Sequence, residues 1–310
     1  MVEIMNKLER VLPKIENWVN SNGLKMNLKK TKYMLFANKN AKTYDINVQI
    51  SNTIIERTEE ERFLGIIMDS KLNWNAHRQK LASKLSRNVG ILRKLKGIVP
   101  RNVIKLLYSS FIQSHLYYCP SVWGLGPKSS LDKIFSAQKK AVRLISKKFI
   151  NHFYNKETGE LPGHTKPIFS EHCILTVHNI VYMQTLVLLQ KVYNNVTPVA
   201  IHSLFEINTQ QPKPTQLRAV KELIYFIAPR TRKTAFDNTI FVKGPKIYNK
   251  AATKFNRTLN ITNPDAKKPE PYFQNKFTQP FKNTIKNMLL TQQSLELPDQ
   301  WSINNFTLYT

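Results

Sequence analysis

Residues 61–100, ERFLGIIMDSKLNWNAHRQKLASKLSRNVGILRKLKGIVP, decide the fold class. Phe63 to Met68 is a short apolar run with Gly65 inside it, and it reads as a strand. From Trp74 the pattern changes. Leu81, Leu85, Val89, Leu92, Leu95 and Val99 recur at helical spacing until Pro100 stops them. A strand handing over to a long amphipathic helix predicts an α+β protein: a small N-terminal sheet with a helix, then a mainly α-helical bundle and C-terminal region.

Toward the N-terminus, Ile4, Leu8, Val11, Ile15 and Trp18 make one stripe of a helix over 3–20, closed at Asn22-Gly23. Residues 33–37 read as a strand. Residues 46–50 and 53–57 flank Ser51-Asn52, a hairpin signal. The run Glu59, Glu60, Glu61 reads as a solvated loop, and Asp69 as the residue that stabilises the turn toward Leu72.

Toward the C-terminus, helices are expected over 103–118, 131–148, 173–194 and about 277–290. Residues 151–168 read as a loop and 208–216 as a linker. The remainder reads as short elements with a Pro-rich break at 263–272. The expected organisation is a small sheet with a helix at 1–70, a basic helical domain at 71–150 and a mainly helical region at 151–310.

Charge narrows the function classes. Of 310 residues, 47 are Lys or Arg and 20 are Asp or Glu, a net charge of +27. Such an excess excludes an acidic solvating protein and points to a polyanion partner. AT-rich coding, which also enriches Asn and Ile, would raise Lys without any function. It does not explain why no acidic residue stands between Asp69 and Asp132. The two Cys exclude a disulfide scaffold and fit a reducing, intracellular setting, nucleus or cytoplasm. Residues 174–193 are apolar but broken by His178, Asn179, Gln184 and Lys191, which suits a buried helix rather than a membrane span.

The segments at 25–37 (KMNLKKTKYMLFA) and 61–74 resemble the late palm of reverse transcriptases from non-LTR (LINE-like) retrotransposons. Residues 83–96, Leu106-Leu107-Tyr108, Val122-Trp123-Gly124 and AQKKAVR at 137–143 resemble the thumb and post-thumb region. HTKPIF at 164–169, VKGPKIYN at 242–249 and FKNTIKNMLL resemble segments further on. The resemblance implies an RNA-directed DNA polymerase that contacts an RNA/DNA template-primer. In that family the catalytic aromatic-x-Asp-Asp turn lies before the helix that opens this chain, and no Asp-Asp pair occurs here. Nucleotide transfer needs paired carboxylates to seat Mg²⁺. The expectation is therefore a truncated reverse transcriptase-like protein with no catalytic residues and no cofactor of its own. Mg²⁺ belongs to the intact polymerase. The alternative is a non-catalytic nucleic-acid-binding protein repurposed from such an element.

The resemblance puts Lys30 near the leaving pyrophosphate, paired with Thr31, and matches Phe63, Leu64 and Gly65 to the primer-gripping hairpin. The bland alternatives are an exposed lysine entering a strand and a glycine inside a core strand. The strongest physical signal is independent of the family. At about 100° per residue, Lys80, Lys84, Arg87 and Lys94 fall within an arc of roughly 80° on one helix. Lys133, Lys140, Arg143 and Lys147 form a second such row. These rows are the candidate nucleic-acid contacts. His164, His172, Cys173 and His178 are spaced too irregularly for zinc, so no metal site is expected. Cys119 reads as a buried structural thiol. Trp74, Trp123 and Trp301 read as packing anchors before base-stacking platforms. A membrane-surface role would need a basic helix exposing its apolar stripe. The alternating basic and apolar helices favour mutual packing, so no membrane partner is expected.

Overall fold

The computed structural model describes residues 2–36, 46–51, 53–146, 165–208, 225–230, 237–255 and 274–295. It is α+β, as the sequence predicts, and divides into two compact units, Met1–His77 and Arg78–Thr310.

The first unit opens with α1, Val2–Ser21. Gly23, at φ +67°, ends it. The Leu24 amide reaches the Val19 carbonyl at 3.0 Å and the Gly23 amide reaches Asn20 at 3.0 Å, the paired bonds of a left-handed helix stop. Met5, Leu8 and Leu12 of α1 cover a small core of Ile46, Val48, Ile50 and Ile55. Val11, Ile15 and Trp18 of the predicted stripe stay exposed.

The strands are shorter than expected, each with one partner. β1, Lys32–Tyr33, replaces the strand expected at 33–37 and pairs parallel with β4, Glu56–Arg57. β2, Gln49–Ile50, and β3, Thr53–Ile54, form the predicted hairpin. The run 63–68 is not one strand. β5, Glu60–Phe63, and β6, Ile66–Asp69, fold back on each other around Leu64-Gly65. Both turn residues have positive φ, +47° and +87°, the type I′ geometry that fits the twist of two antiparallel strands. Apolarity alone could not show this turn, because its first residue is a leucine. Glu60 and Glu61, read as loop, are exposed residues of β5 instead.

Asp69 behaves as its position predicts. Its carboxylate accepts the Lys71 and Asn73 amides at 3.1 Å each and the Trp74 amide at 2.7 Å, closing the turn before the next helix. Hydrogen bonds to a charged acceptor contribute about 1.5–3 kcal/mol each and do not add fully. Asp69→Ala should cost about 3 kcal/mol locally. Hydrogen exchange at Lys71, Asn73 and Trp74 should accelerate on the order of 100-fold, and unchanged exchange would show the turn to be held by its backbone alone.

α2, Asn75–Leu95, crosses the division between the units. Its stripe Leu81, Leu85, Val89 and Leu92 is buried. The helix expected over 103–118 is a rod of α3, Arg101–Tyr108, a π-helical turn, Ser109–Gln113, and α4, Ser114–Tyr117. The π turn has a reason in the sequence. Ile104, Tyr108, Ile112 and Leu116 are all buried at four-residue spacing. An α-helix would rotate them by about 40° per step, and the wider turn absorbs that drift.

α5, Pro120–Trp123, and a 3₁₀ turn lead into α6, Asp132–Ile145. The short α7, Lys166–Glu171, corrects the expected loop at its end: Pro167 sits in the first turn of a helix, where its missing amide costs nothing. Residues 151–164 lie outside the described residues.

α8, Val177–Tyr193, is buried around nearly its whole circumference, as its apolar sequence predicts. It packs against α4, α5 and α6. Gly124 shows how closely: a Cβ there would meet Val181 at 2.4 Å. This close approach accounts for the glycine of Val122-Trp123-Gly124. The Gln138 side chain joins three elements. Its Nε2 donates to the Leu175 carbonyl at 2.9 Å and the Tyr108 hydroxyl at 3.2 Å, while Oε1 accepts the Val177 amide at 2.8 Å.

After α9, Val199–His202, strands β7, Glu206–Ile207, and β8, Phe226–Ile227, pair antiparallel. α10, Ile240–Phe255, is a sixteen-residue helix where only short elements were expected; Pro245 masked it, yet α10 packs on α8. α11, Gln274–Leu295, is longer than the closing helix expected and packs against α7 and α8. Trp301, the Pro-rich break and most of the expected linker lie outside the described residues.

Candidate nucleic-acid interface

The charge is divided unevenly between the units. Met1–His77 carries 12 basic and nine acidic residues, net +3, whereas Arg78–Thr310 carries 35 basic and 11 acidic, net +24. In the first unit Lys32 pairs with Glu56 and Glu61, and Arg57 with Glu59.

In the second unit the α2 row lies on the helix surface. Lys80, Lys84, Arg87 and Lys94 are all exposed, opposite the buried stripe of the same helix. None has an ion pair among the described residues, and residues 70–131 offer no carboxylate to make one. Four cations on one helix face repel each other, so the face gains most from an anion brought from outside. On α2 itself the apolar stripe of Leu81, Leu85, Val89 and Leu92 is buried.

The second row is only partly assembled. Lys133 and Lys140 are exposed on α6, Arg143 is half-buried, and Lys147 lies outside the described residues. Sequence reasoning passed over Lys139, which sits over the Phe135 ring at 4.7 Å, a packing contact.

In the first unit, Leu64 at the β5–β6 tip is 75% exposed and Phe63 62%. A leucine held at φ +47° costs on the order of 1 kcal/mol relative to a residue suited to that conformation. Lys30 is exposed on a turn rather than entering a strand. The Thr31 hydroxyl donates to the Asn27 carbonyl at 2.9 Å, and the Lys30 amide to the Asn27 side chain at 3.2 Å.

The remaining candidates have structural roles. Trp123 is fully buried and its Nε1 donates to the Tyr118 carbonyl at 2.8 Å. Trp74 is half-buried and held by Asp69. Two cations cap the neighbouring loop: Arg78 donates to the Trp123 carbonyl and Lys243 to the Leu125 carbonyl, each at 2.8 Å. Burial lowers the affinity of Lys243 for its proton. Cys119 is exposed, not buried as expected, and takes a left-handed conformation (φ +48°) just before Pro120. His178 is buried against the Phe135 ring at 5.1 Å, and Cys173 is exposed in the turn after α7.

Among the described residues no three His, Cys, Asp or Glu side chains converge as metal ligands. Asp69 and Glu59 are engaged elsewhere. Asp69 binds three amides. Glu59 accepts from the Ser70 hydroxyl and from Arg57, which hold its carboxyl below the usual range against the opposing effect of burial. These residues do not fit a pair of Mg²⁺ ions. No helix among the described residues is long and apolar enough to cross a membrane.

No family model matches the chain, and no solved structure matches it. Curated proteins do. The chain is 28% identical over 144 residues to the RNA-directed DNA polymerase from mobile element jockey of Drosophila melanogaster, which covers 45% of this chain and 15% of that polymerase. The corresponding enzyme of Drosophila funebris is 25% identical over 47% of this chain and 16% of its own length. A probable RNA-directed DNA polymerase from transposon BS of Drosophila melanogaster is 22% identical over 46% and 16%. This chain thus spans about one sixth of the length of the curated relatives it matches. Those relatives, and the motifs at 25–37 and 61–74, agree: the chain is homologous to the RNA-directed DNA polymerases of non-LTR mobile elements.

Proposed function

We propose that this chain is a reverse transcriptase-like protein that grips an RNA/DNA template-primer without carrying the polymerase centre. One observation carries the reading: the exposed face of Lys80, Lys84, Arg87 and Lys94, with no carboxylate partner among the described residues, in a unit of net charge +24. Phosphates are the counter-charge such a face fits, and a single helix face reads backbone rather than sequence. Lys133, Lys140 and Arg143 extend the cationic surface along α6 in this reading, and Lys147 follows them in the sequence. The exposed Phe63-Leu64 tip, kept in a costly conformation, serves as an apolar contact to the nucleic acid, and Lys30 with Thr31 retains its palm position without the metal-bound pyrophosphate it would face. The chemistry of nucleotide transfer is absent because no Asp-Asp pair is present in the sequence.

Two measurements on the purified chain test this. Incubation with a primed RNA template, nucleotides and Mg²⁺ or Mn²⁺ should yield no extension above a mock preparation. A fluorescent RNA/DNA hybrid should bind with little sequence preference. Template-dependent extension overturns the missing-centre part of the reading, and absence of hybrid binding at low salt overturns the gripping part.

A further inference from the structure

The α2 face does not stop at α2. Asn88 Nδ2 donates to the Phe111 carbonyl in the π turn at 2.6 Å, fixing the register between α2 and the α3–α4 rod. One turn back on α2 from Asn88 is Lys84; one turn on along the rod from Phe111 is His115. With about 6 Å of rise per four residues on each helix, an antiparallel crossing sets these two side by side. The electrostatics agree, since Lys84 is the charged group that acts on His115. The ring is half-buried on α4, and neither nitrogen has a hydrogen-bond partner among the described residues. α2, the α3–α4 rod and α8, which packs on α4, contain no acidic residue; α6, which packs on α3, carries Asp132, and among the described residues the charge that acts on the ring is that of Lys84.

We propose that His115 and Lys84 form a two-group seat for one backbone phosphate, and that nucleic-acid binding is therefore coupled to proton uptake by His115. This rests on reading the α2 face as a phosphate-binding surface, and it assigns that surface a residue on a second helix. In the free protein, burial first and the Lys84 charge second hold His115 neutral at neutral pH. A phosphate between them offsets the Lys84 charge and accepts a hydrogen bond from the ring, and both effects favour the protonated form. The proton comes from solvent, and the ring supplies a further positive charge to the contact.

The experiment measures hybrid affinity at pH 8 and pH 5.5 over a salt series, for the wild-type chain, His115→Gln and His115→Lys. Wild type should gain about threefold to tenfold more affinity on acidification than His115→Gln, the linkage expected when binding favours the protonated ring. Its slope of log affinity against log salt should steepen by up to about 0.9 at pH 5.5, as for one added phosphate contact, and that of His115→Gln should not. His115→Lys, with a permanent charge, should lose the extra pH dependence and match or exceed wild type at pH 8. Identical pH profiles for wild type and His115→Gln, with both still binding in a salt-dependent way, overturn the proposal and leave the phosphate-binding reading standing. No binding by wild type at either pH overturns both.

Discussion

Replacing Lys80, Lys84, Arg87 and Lys94 together with Gln should lower the slope of log affinity against log salt by up to about 3.6, since each phosphate neutralised contributes about 0.9. Between 50 and 200 mM salt, the wild-type chain should then lose affinity on the order of 100-fold more than the variant. All four side chains are exposed, so the fold should survive the change, with an unaltered far-UV spectrum. The control is Lys7→Gln with Lys14→Gln. These are exposed cations on α1 in the nearly balanced first unit, and their removal should leave the slope within about 1 of wild type. If binding merely tracked net charge, two substitutions there would act as half of the four on α2. An unchanged slope in the fourfold variant would mean that the α2 face meets no phosphate.

How much of this was legible depended on which force set each feature. The α2 face was readable because helical periodicity fixes which residues share a side, and Leu81, Leu85, Val89 and Leu92 leave one orientation for Lys80, Lys84, Arg87 and Lys94. α8 was readable because an almost unbroken apolar helix has to be buried. The β5–β6 hairpin was legible only through family resemblance. Its turn depends on two positive-φ residues, and Leu64 gives no sign of that conformation. α10 was lost to Pro245, whose cost inside a helix is real but is outweighed where α10 packs on α8. The Gln138 junction and the pairing of Lys84 with His115 were not legible. They depend on which helices become neighbours, and nothing local to either residue encodes that.

His178 shows what such tertiary neighbours do to an ordinary side chain. Its ring lies edge-on to Phe135, and its Nε2 has no hydrogen-bond partner among the described residues. Burial, with smaller contributions from Lys128 and Lys139 that exceed the opposing effect of Asp132, pushes its pKa down to about 4. The unfolded chain holds this proton with a pKa of about 6.5. Between those values the unfolded state binds more protons than the folded one, so stability falls as pH falls. The contribution is fully present above about pH 6.5, declines through the window and is gone below about pH 4, a change of about 3 kcal/mol. His172 and His115, both half-buried and both lowered chiefly by burial, act in the same direction more weakly. Chemical denaturation of the second unit at pH 7.5 and pH 4.5 should therefore show a large acid loss in the wild type. In His178→Leu most of that difference should disappear, even if packing against Phe135 lowers the stability of the variant at both pH values. An acid loss in His178→Leu as large as in the wild type would place the sensitivity in the carboxylates instead.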